Sequence, residues 1–112
     1  MKSLKFKSNL AEQILNGNKT VTWRLFDDKN LQIDDELDFI NFETGEHFAM
    51  AVVTETKEKK LGEIIDADYE YSHYEKETQT EMLKHYKEIY GDKVDLDTIM
   101  KMIKFRLLSP ND

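Results

Sequence analysis

Six consecutive residues, Lys19-Thr20-Val21-Thr22-Trp23-Arg24, concentrate an amine, two hydroxyls, an indole and a guanidinium. A threonine hydroxyl becomes a nucleophile only when a neighbouring base takes its proton. A lysine can be that base only when burial or a nearby cation brings its pKa toward neutrality. Arg24, on the same segment, is such a cation. It can equally grip a phosphate or carboxylate with its planar fork, or tie the segment to Asp27 or Asp28. Trp23, the only tryptophan, offers a face for an unpaired base, although alternation sets it with Val21 toward a core. The plain structural alternative makes Lys19 a solvated strand-end lysine and Thr22 a β-favouring filler.

The elements that position this hexapeptide follow from local pattern. Leu4-Lys5-Phe6-Lys7 alternates and reads as a strand. Asn9-Leu10-Ala11-Glu12 has the form of a capping box opening a helix, with Leu10 and Ile14 on one face and Gly17 at its end. Lys19–Leu25 then reads as a second strand. Side chains alternate in a regular strand, so Lys19 and Thr22 would face opposite sides. Joint chemistry therefore requires Lys19 in the irregular turn after Gly17, or a bulge between the two.

Further along, Asp27-Asp28-Lys29-Asn30 reads as a turn. Glu36–Phe42 and His47–Thr56 read as strands joined at Glu43-Thr44-Gly45-Glu46. Lys57-Glu58-Lys59-Lys60 reads as a solvated bend and Leu61–Asp66 as a short helix. Residues 67–79 are polar and aromatic without clear periodicity. Thr78-Gln79-Thr80-Glu81 forms a second capping box before a helix ending near Gly91. Met102–Leu107 alternates as a last strand after the loop Asp92–Thr98. The order β–α–β–β–β–α–α–β predicts an α+β fold, a small and nearly closed antiparallel barrel with helices at its ends, or else a split sandwich.

Composition narrows the function. With 112 residues the chain makes one domain, expected over residues 1–108 with a short tail at 109–112. It has no cysteine, which excludes disulfides and thiolate metal sites. His47, His73 and His85 have the wrong spacing for a metal set, and no cofactor motif is present. No apolar run reaches membrane-spanning length and no signal-peptide pattern opens the chain, so a cytoplasmic, membrane-free protein is the default expectation. A net charge of −7 argues against indiscriminate binding of DNA or long RNA. Lys2, Lys5, Lys7, Lys19 and Arg24 against Glu12 nonetheless make residues 1–24 net +4 and leave −11 to the rest. A basic segment on an acidic body can hold one small anion while repelling bulk polyanions, or it can be ordinary surface charge.

At Ile14-Leu15-Asn16-Gly17-Asn18-Lys19-Thr20-Val21-Thr22-Trp23-Arg24 the chain resembles the ASCH domain family of the PUA-like superfamily. The resemblance continues through Ile33-Asp34-Asp35-Glu36-Leu37, Ala49–Thr54, Leu61-Gly62-Glu63, Glu81–Gly91 and Ile103-Lys104-Phe105. Asp34 stands where the family usually has a glycine. Many relatives carry Gly-His-Glu where this chain has Ser72-His73-Tyr74. The resemblance implies a PUA-like β-barrel of five or six strands, with a cleft beside the Lys-Thr segment for a nucleoside or RNA. One member removes the acetyl group of N4-acetylcytidine with a Lys, a Thr and a Glu. Carried over by motif, these fall on Lys19, Thr22 and Glu75, with Glu77 within an alignment slip. Thr20, Arg24, His73 and Tyr74 would then line the ligand. The expectation is a monomer that binds a nucleoside or RNA, with amide hydrolysis as its most specific activity. A non-catalytic RNA-binding module and a regulatory domain for a metabolite or protein are the alternatives.

Overall fold

The computed structural model describes residues 1–108; the expected tail at 109–112 lies outside the described residues. Five strands, β1 (Lys2–Phe6), β2 (Val21–Leu25), β3 (Glu36–Asn41), β4 (His47–Lys60) and β5 (Ile99–Leu108), form one sheet in the order β1-β3-β4-β5-β2. All neighbours are antiparallel except β1 and β3, which run parallel. The sheet curls strongly into a half-barrel, and three helices accompany it: α1 (Ser8–Leu15), α2 (Asp66–Ser72) and α3 (Gln79–Tyr90). This is an α+β fold of the PUA-like kind.

Alternation along the strands builds two cores on the two faces of the sheet. Leu4 and Phe6, Leu37 and Phe39, Ala51 and Val53, Ile103 and Phe105 fill one, closed by Ile14 of α1 and by Leu31. Phe39 is fully buried there, with the Phe6 and Phe105 rings both 4.9 Å away, edge to face. Truncating such a ring to alanine costs about 3–5 kcal/mol. The other core uses the intervening residues: Val21, Trp23, Leu25, Met100 and Met102 pack against Leu61, Tyr69, Met82 and Val94. Through it, α2 and α3 come to lie over β2.

β1 and β2 are the two ends of the sheet and do not pair with each other. Long side chains bridge the seam between them. Arg24 Nη2 donates to the Lys5 carbonyl at 3.0 Å, Lys29 Nζ to Ser3 at 2.7 Å, and Lys2 Nζ to Asn30 at 2.8 Å. Backbone acceptors of an edge strand are thereby satisfied without closing the barrel.

The structure redraws several elements. The Asn9 capping box does not form: α1 begins at Ser8, whose backbone N–H donates to Glu43 Oε1 at 3.1 Å. A carboxylate from the β3–β4 turn thus takes the place of a local cap. Lys57–Lys60 is no bend but the end of β4, paired with Ile99–Met102 of β5. Backbone pairing outweighs the poor β-propensity of those charged residues. The aperiodic 67–79 stretch contains α2, whose Asp68 accepts from the Ile65 backbone N–H and from Lys59 Nζ. The second capping box forms as read, with Thr78 Oγ1 accepting from the Glu81 backbone N–H at 3.1 Å. Asp34, at the family's glycine position, adopts φ +74°, a conformation that glycine takes without strain.

Candidate functional site

Helix α1 ends over Gly17 (φ +85°), and the Gln13 carbonyl accepts from the backbone N–H groups of both Asn18 and Lys19. Lys19 is therefore held at the helix end, two residues before β2 begins. The expected strand over Lys19–Leu25 starts only at Val21. The half-buried Thr20 makes the first link to β5 by accepting from the Phe105 backbone N–H at 3.0 Å. Antiparallel alternation then turns the Val21 carbonyl and the Trp23 N–H to the free edge of β2.

The candidate side chains meet at that free edge. Lys19 Nζ donates to the Val21 carbonyl at 3.0 Å and to the Tyr74 hydroxyl at 2.6 Å, and lies 4.4 Å from the centre of the Tyr74 ring. The Tyr74 O–H donates to the Val21 carbonyl at 3.3 Å. Its oxygen also hydrogen-bonds the Trp23 backbone and the Thr22 side chain. Lys19 and Thr22 thus reach one point, because Lys19 lies outside the regular strand. Both are buried, at 5% and 4% exposure.

Electrostatics set this lysine apart. Burial, and next the positive charge of Arg24, bring the Lys19 pKa from 10.5 down to about 7. No carboxylate pairs with Lys19 among the described residues; its acceptors are a carbonyl and a phenol. The Tyr74 phenol is pushed up by burial, against the pull of its bonds to Trp23 and Thr22 and of the Arg24 charge. It therefore keeps its proton. Arg24 lies with its guanidinium 4.8 Å from the Phe6 ring centre, and its Nε is buried without a hydrogen-bond partner among the described residues. Burial lowers its pKa, opposed by Tyr90, Tyr74 and Tyr86.

Trp23 is scaffold. Its Nε1–H donates to Ser72 Oγ at 2.6 Å, and its ring lies 5.2 Å from Tyr69 and 4.7 Å from Tyr74. This ties α2 and the residue after its cap to β2, and so delivers Tyr74 to the strand edge. His73 is exposed and caps α2 at φ +57°; its imidazole makes no hydrogen bond or ion pair among the described residues. Glu75 is also exposed, and no contact brings its carboxylate to Lys19 or Thr22 among the described residues. Glu77 lies nearer the aromatic groups. Its charge acts on Tyr69 and Tyr86, and its Oε1 is 3.6 Å from His85 Nδ1.

Sequence reasoning passed over a second buried lysine. Lys101, directly across the ladder from Arg24, donates to Asp27 Oδ2 at 2.8 Å and to the Leu31 carbonyl. Burial alone would raise the Asp27 pKa. The bonds from Lys101 and from the Leu31 backbone N–H outweigh it and hold the carboxyl low. A strand begun at Met102 excluded Lys101 from the pattern; begun at Ile99, alternation would have put it inside with Ile103 and Phe105. Arg24, Phe26, Asp27 and Lys101 help line a cavity of about 460 Å³. A larger hollow of about 880 Å³ lies elsewhere, among Lys2, Asp35 and Arg106, and Lys19 lines neither. Among the described residues no three His, Asp or Glu side chains gather as a metal ion would need. No helix among them is long and apolar enough to cross a membrane.

No protein-family model matches the chain, and neither does any curated protein. Solved structures do. Protein EF3133 of Enterococcus faecalis V583, from the DUF984 family, superposes with a TM-score of 0.76 at 11% identity, covering 96% of this chain and 76% of that one. The ASCH domain of Lactobacillus crispatus JV V101 gives 0.67 at 12% identity, covering 95% and 78%. The ASCH protein of Zymomonas mobilis gives 0.60 at 10% identity, covering 97% and 73%. The chain has an ASCH-domain fold. At these identities the likeness is one of fold, and chemistry has to be argued from the side chains at the β2 edge.

Proposed function

We propose that this ASCH-fold domain binds a nucleoside at the β2 edge and hydrolyses the amide of N4-acetylcytidine or a similar acylated nucleoside. The observation that carries the reading is the Lys19 amine: buried, without a carboxylate partner among the described residues, with a pKa near 7, and joined through one phenol to the Thr22 hydroxyl. Near neutral pH about half of such amines are unprotonated and can accept a proton. Thr22, relieved of its proton, attacks the acetyl carbonyl carbon and forms a tetrahedral adduct. Collapse of the adduct breaks the C–N bond. Glu75, on the loop beside Tyr74, delivers the proton to the departing exocyclic nitrogen, and water then releases acetate from Thr22. Thr20, Arg24, His73 and Tyr74 surround the ligand, with Arg24 supplying the charge that tunes Lys19. The acidic body favours a small neutral ligand over a long polyanion.

Incubation of purified protein with N4-acetylcytidine, following free cytidine, tests this. Turnover abolished by Lys19→Ala and by Thr22→Ala is expected. No turnover, or turnover indifferent to both substitutions, removes the reading. RNA binding that falls steeply with added salt, without turnover, would instead favour a non-catalytic RNA module.

A further inference from the structure

We infer that the Tyr74 hydroxyl is a catalytic proton relay, carrying the Thr22 proton to the Lys19 amine. The inference rests on the deacetylase reading and deepens it. Tyr74 was expected only to line the ligand, but among the described residues its hydroxyl is the side-chain group in contact with both members of the pair. Lys19 Nζ is 2.6 Å away, and the Thr22 side chain hydrogen-bonds the same oxygen. The phenol is held from several sides: by the Val21 carbonyl at 3.3 Å, by the Trp23 ring tilted against it at 4.7 Å, and by the backbone of α2, whose Tyr69 carbonyl accepts from the Tyr74 N–H at 2.9 Å. A merely structural tyrosine needs one acceptor for its hydroxyl. This one sits between a hydroxyl and an amine at the buried, unpaired edge of β2.

The step balances. As the Thr22 Oγ lone pair forms the bond to the acetyl carbon, the Thr22 proton passes to Tyr74 Oη and the Tyr74 proton passes to Lys19 Nζ. The carbonyl π pair moves onto its oxygen. Tyr74 ends neutral, as its raised pKa requires, and the charge rests on Lys19. Glu75 then passes the proton held by Lys19 to the leaving nitrogen, the oxyanion pair re-forms the carbonyl as the C–N bond breaks, and Lys19 is left neutral. Attack of water on acetyl-Thr22 sends one water proton through Tyr74 to Lys19; as the acyl C–Oγ bond breaks, that proton returns through Tyr74 to Thr22 Oγ, and acetic acid leaves and ionises to acetate.

The test is single-turnover deacetylation of N4-acetylcytidine by the wild type, Tyr74→Phe and the control Tyr71→Phe, in mixtures of light and heavy water. Tyr71 donates to Glu55 at 2.7 Å and stands outside the relay. For Tyr74→Phe the chemical rate should fall on the order of 100-fold with KM little changed. The wild-type rate should bow with deuterium fraction, as two protons in flight require, while Tyr71→Phe should match the wild type. A Tyr74→Phe rate equal to the wild type overturns the relay while leaving the deacetylase reading intact. Should that variant not fold, a linear wild-type dependence on deuterium fraction overturns the relay by itself. Absence of wild-type turnover overturns the deacetylase reading and the relay with it.

Discussion

The two ends of the β2–β5 ladder each bury a lysine, Lys19 at 5% and Lys101 at 7% exposure, in opposite surroundings. Lys101 meets the Asp27 carboxylate and the Leu31 carbonyl, so its charge is compensated in place. Lys19 meets a carbonyl, a phenol and, beyond them, a second cation. Equal burial therefore comes with opposite electrostatic surroundings. A buried ammonium with a carboxylate is a strut, whereas one without a carboxylate is a base in waiting.

Breaking the comparison should show its largest effect in activity. Lys19→Ala should lower N4-acetylcytidine turnover by about 10³-fold, within the range for losing a positioned base, while the far-UV circular dichroism stays native. A residual rate within tenfold of the wild type would refute the assignment. The next effect is in stability and belongs to the other lysine. Asp27→Ala leaves Lys101 without its counter-charge and should cost about 3 kcal/mol, read as a lower urea midpoint at unchanged slope.

The third prediction concerns pH. The folded-state pKa of Lys19, about 7, lies below its ordinary 10.5, so between those values the unfolded chain binds the extra proton. The contribution of Lys19 to stability therefore rises with pH across that window and is least favourable below pH 7. Lys19→Met should stabilise the fold by about 2 kcal/mol at pH 6, discounting a full shift for relaxation around the charge. The gain should shrink as pH climbs from 7 to 10. A gain independent of pH would mean that the charge is not the cause. The smallest effect sharpens the choice of carboxylate. Glu75→Gln should slow turnover about tenfold and Glu77→Gln should leave it near the wild type; the reverse order would move the acid to Glu77.

Much of the fold was readable because its signals are local. The alternation of Leu4-Lys5-Phe6, the Thr78–Glu81 cap and the Gly17 stop each depend on residues within one turn or strand. The misread stretches depended on partners far along the chain. Glu43 caps a helix that starts 35 residues earlier. The strand character of Lys57–Lys60 comes from the β5 residues it pairs with, not from its own composition. α2 was hidden because its polar and aromatic residues serve different partners, Tyr69 and Ser72 meeting Trp23 while Tyr71 donates to Glu55, which erases a simple helical period.

The candidate site divides in the same way. By itself the sequence determined which groups stand close along the chain: the amine, the hydroxyl and the guanidinium of Lys19–Arg24, and the glycine that lets a helix stop before them. It also determined the condition they had to meet, that Lys19 escape strand alternation. Only the tertiary structure decided that they act on one another. Tyr74 lies 55 residues from Lys19, and two helices must pack over β2 before its hydroxyl reaches the strand edge. Which buried lysine finds a carboxylate is likewise a matter of distant neighbours. Desolvation and pairing are properties of an environment, and the chain makes that environment only by folding.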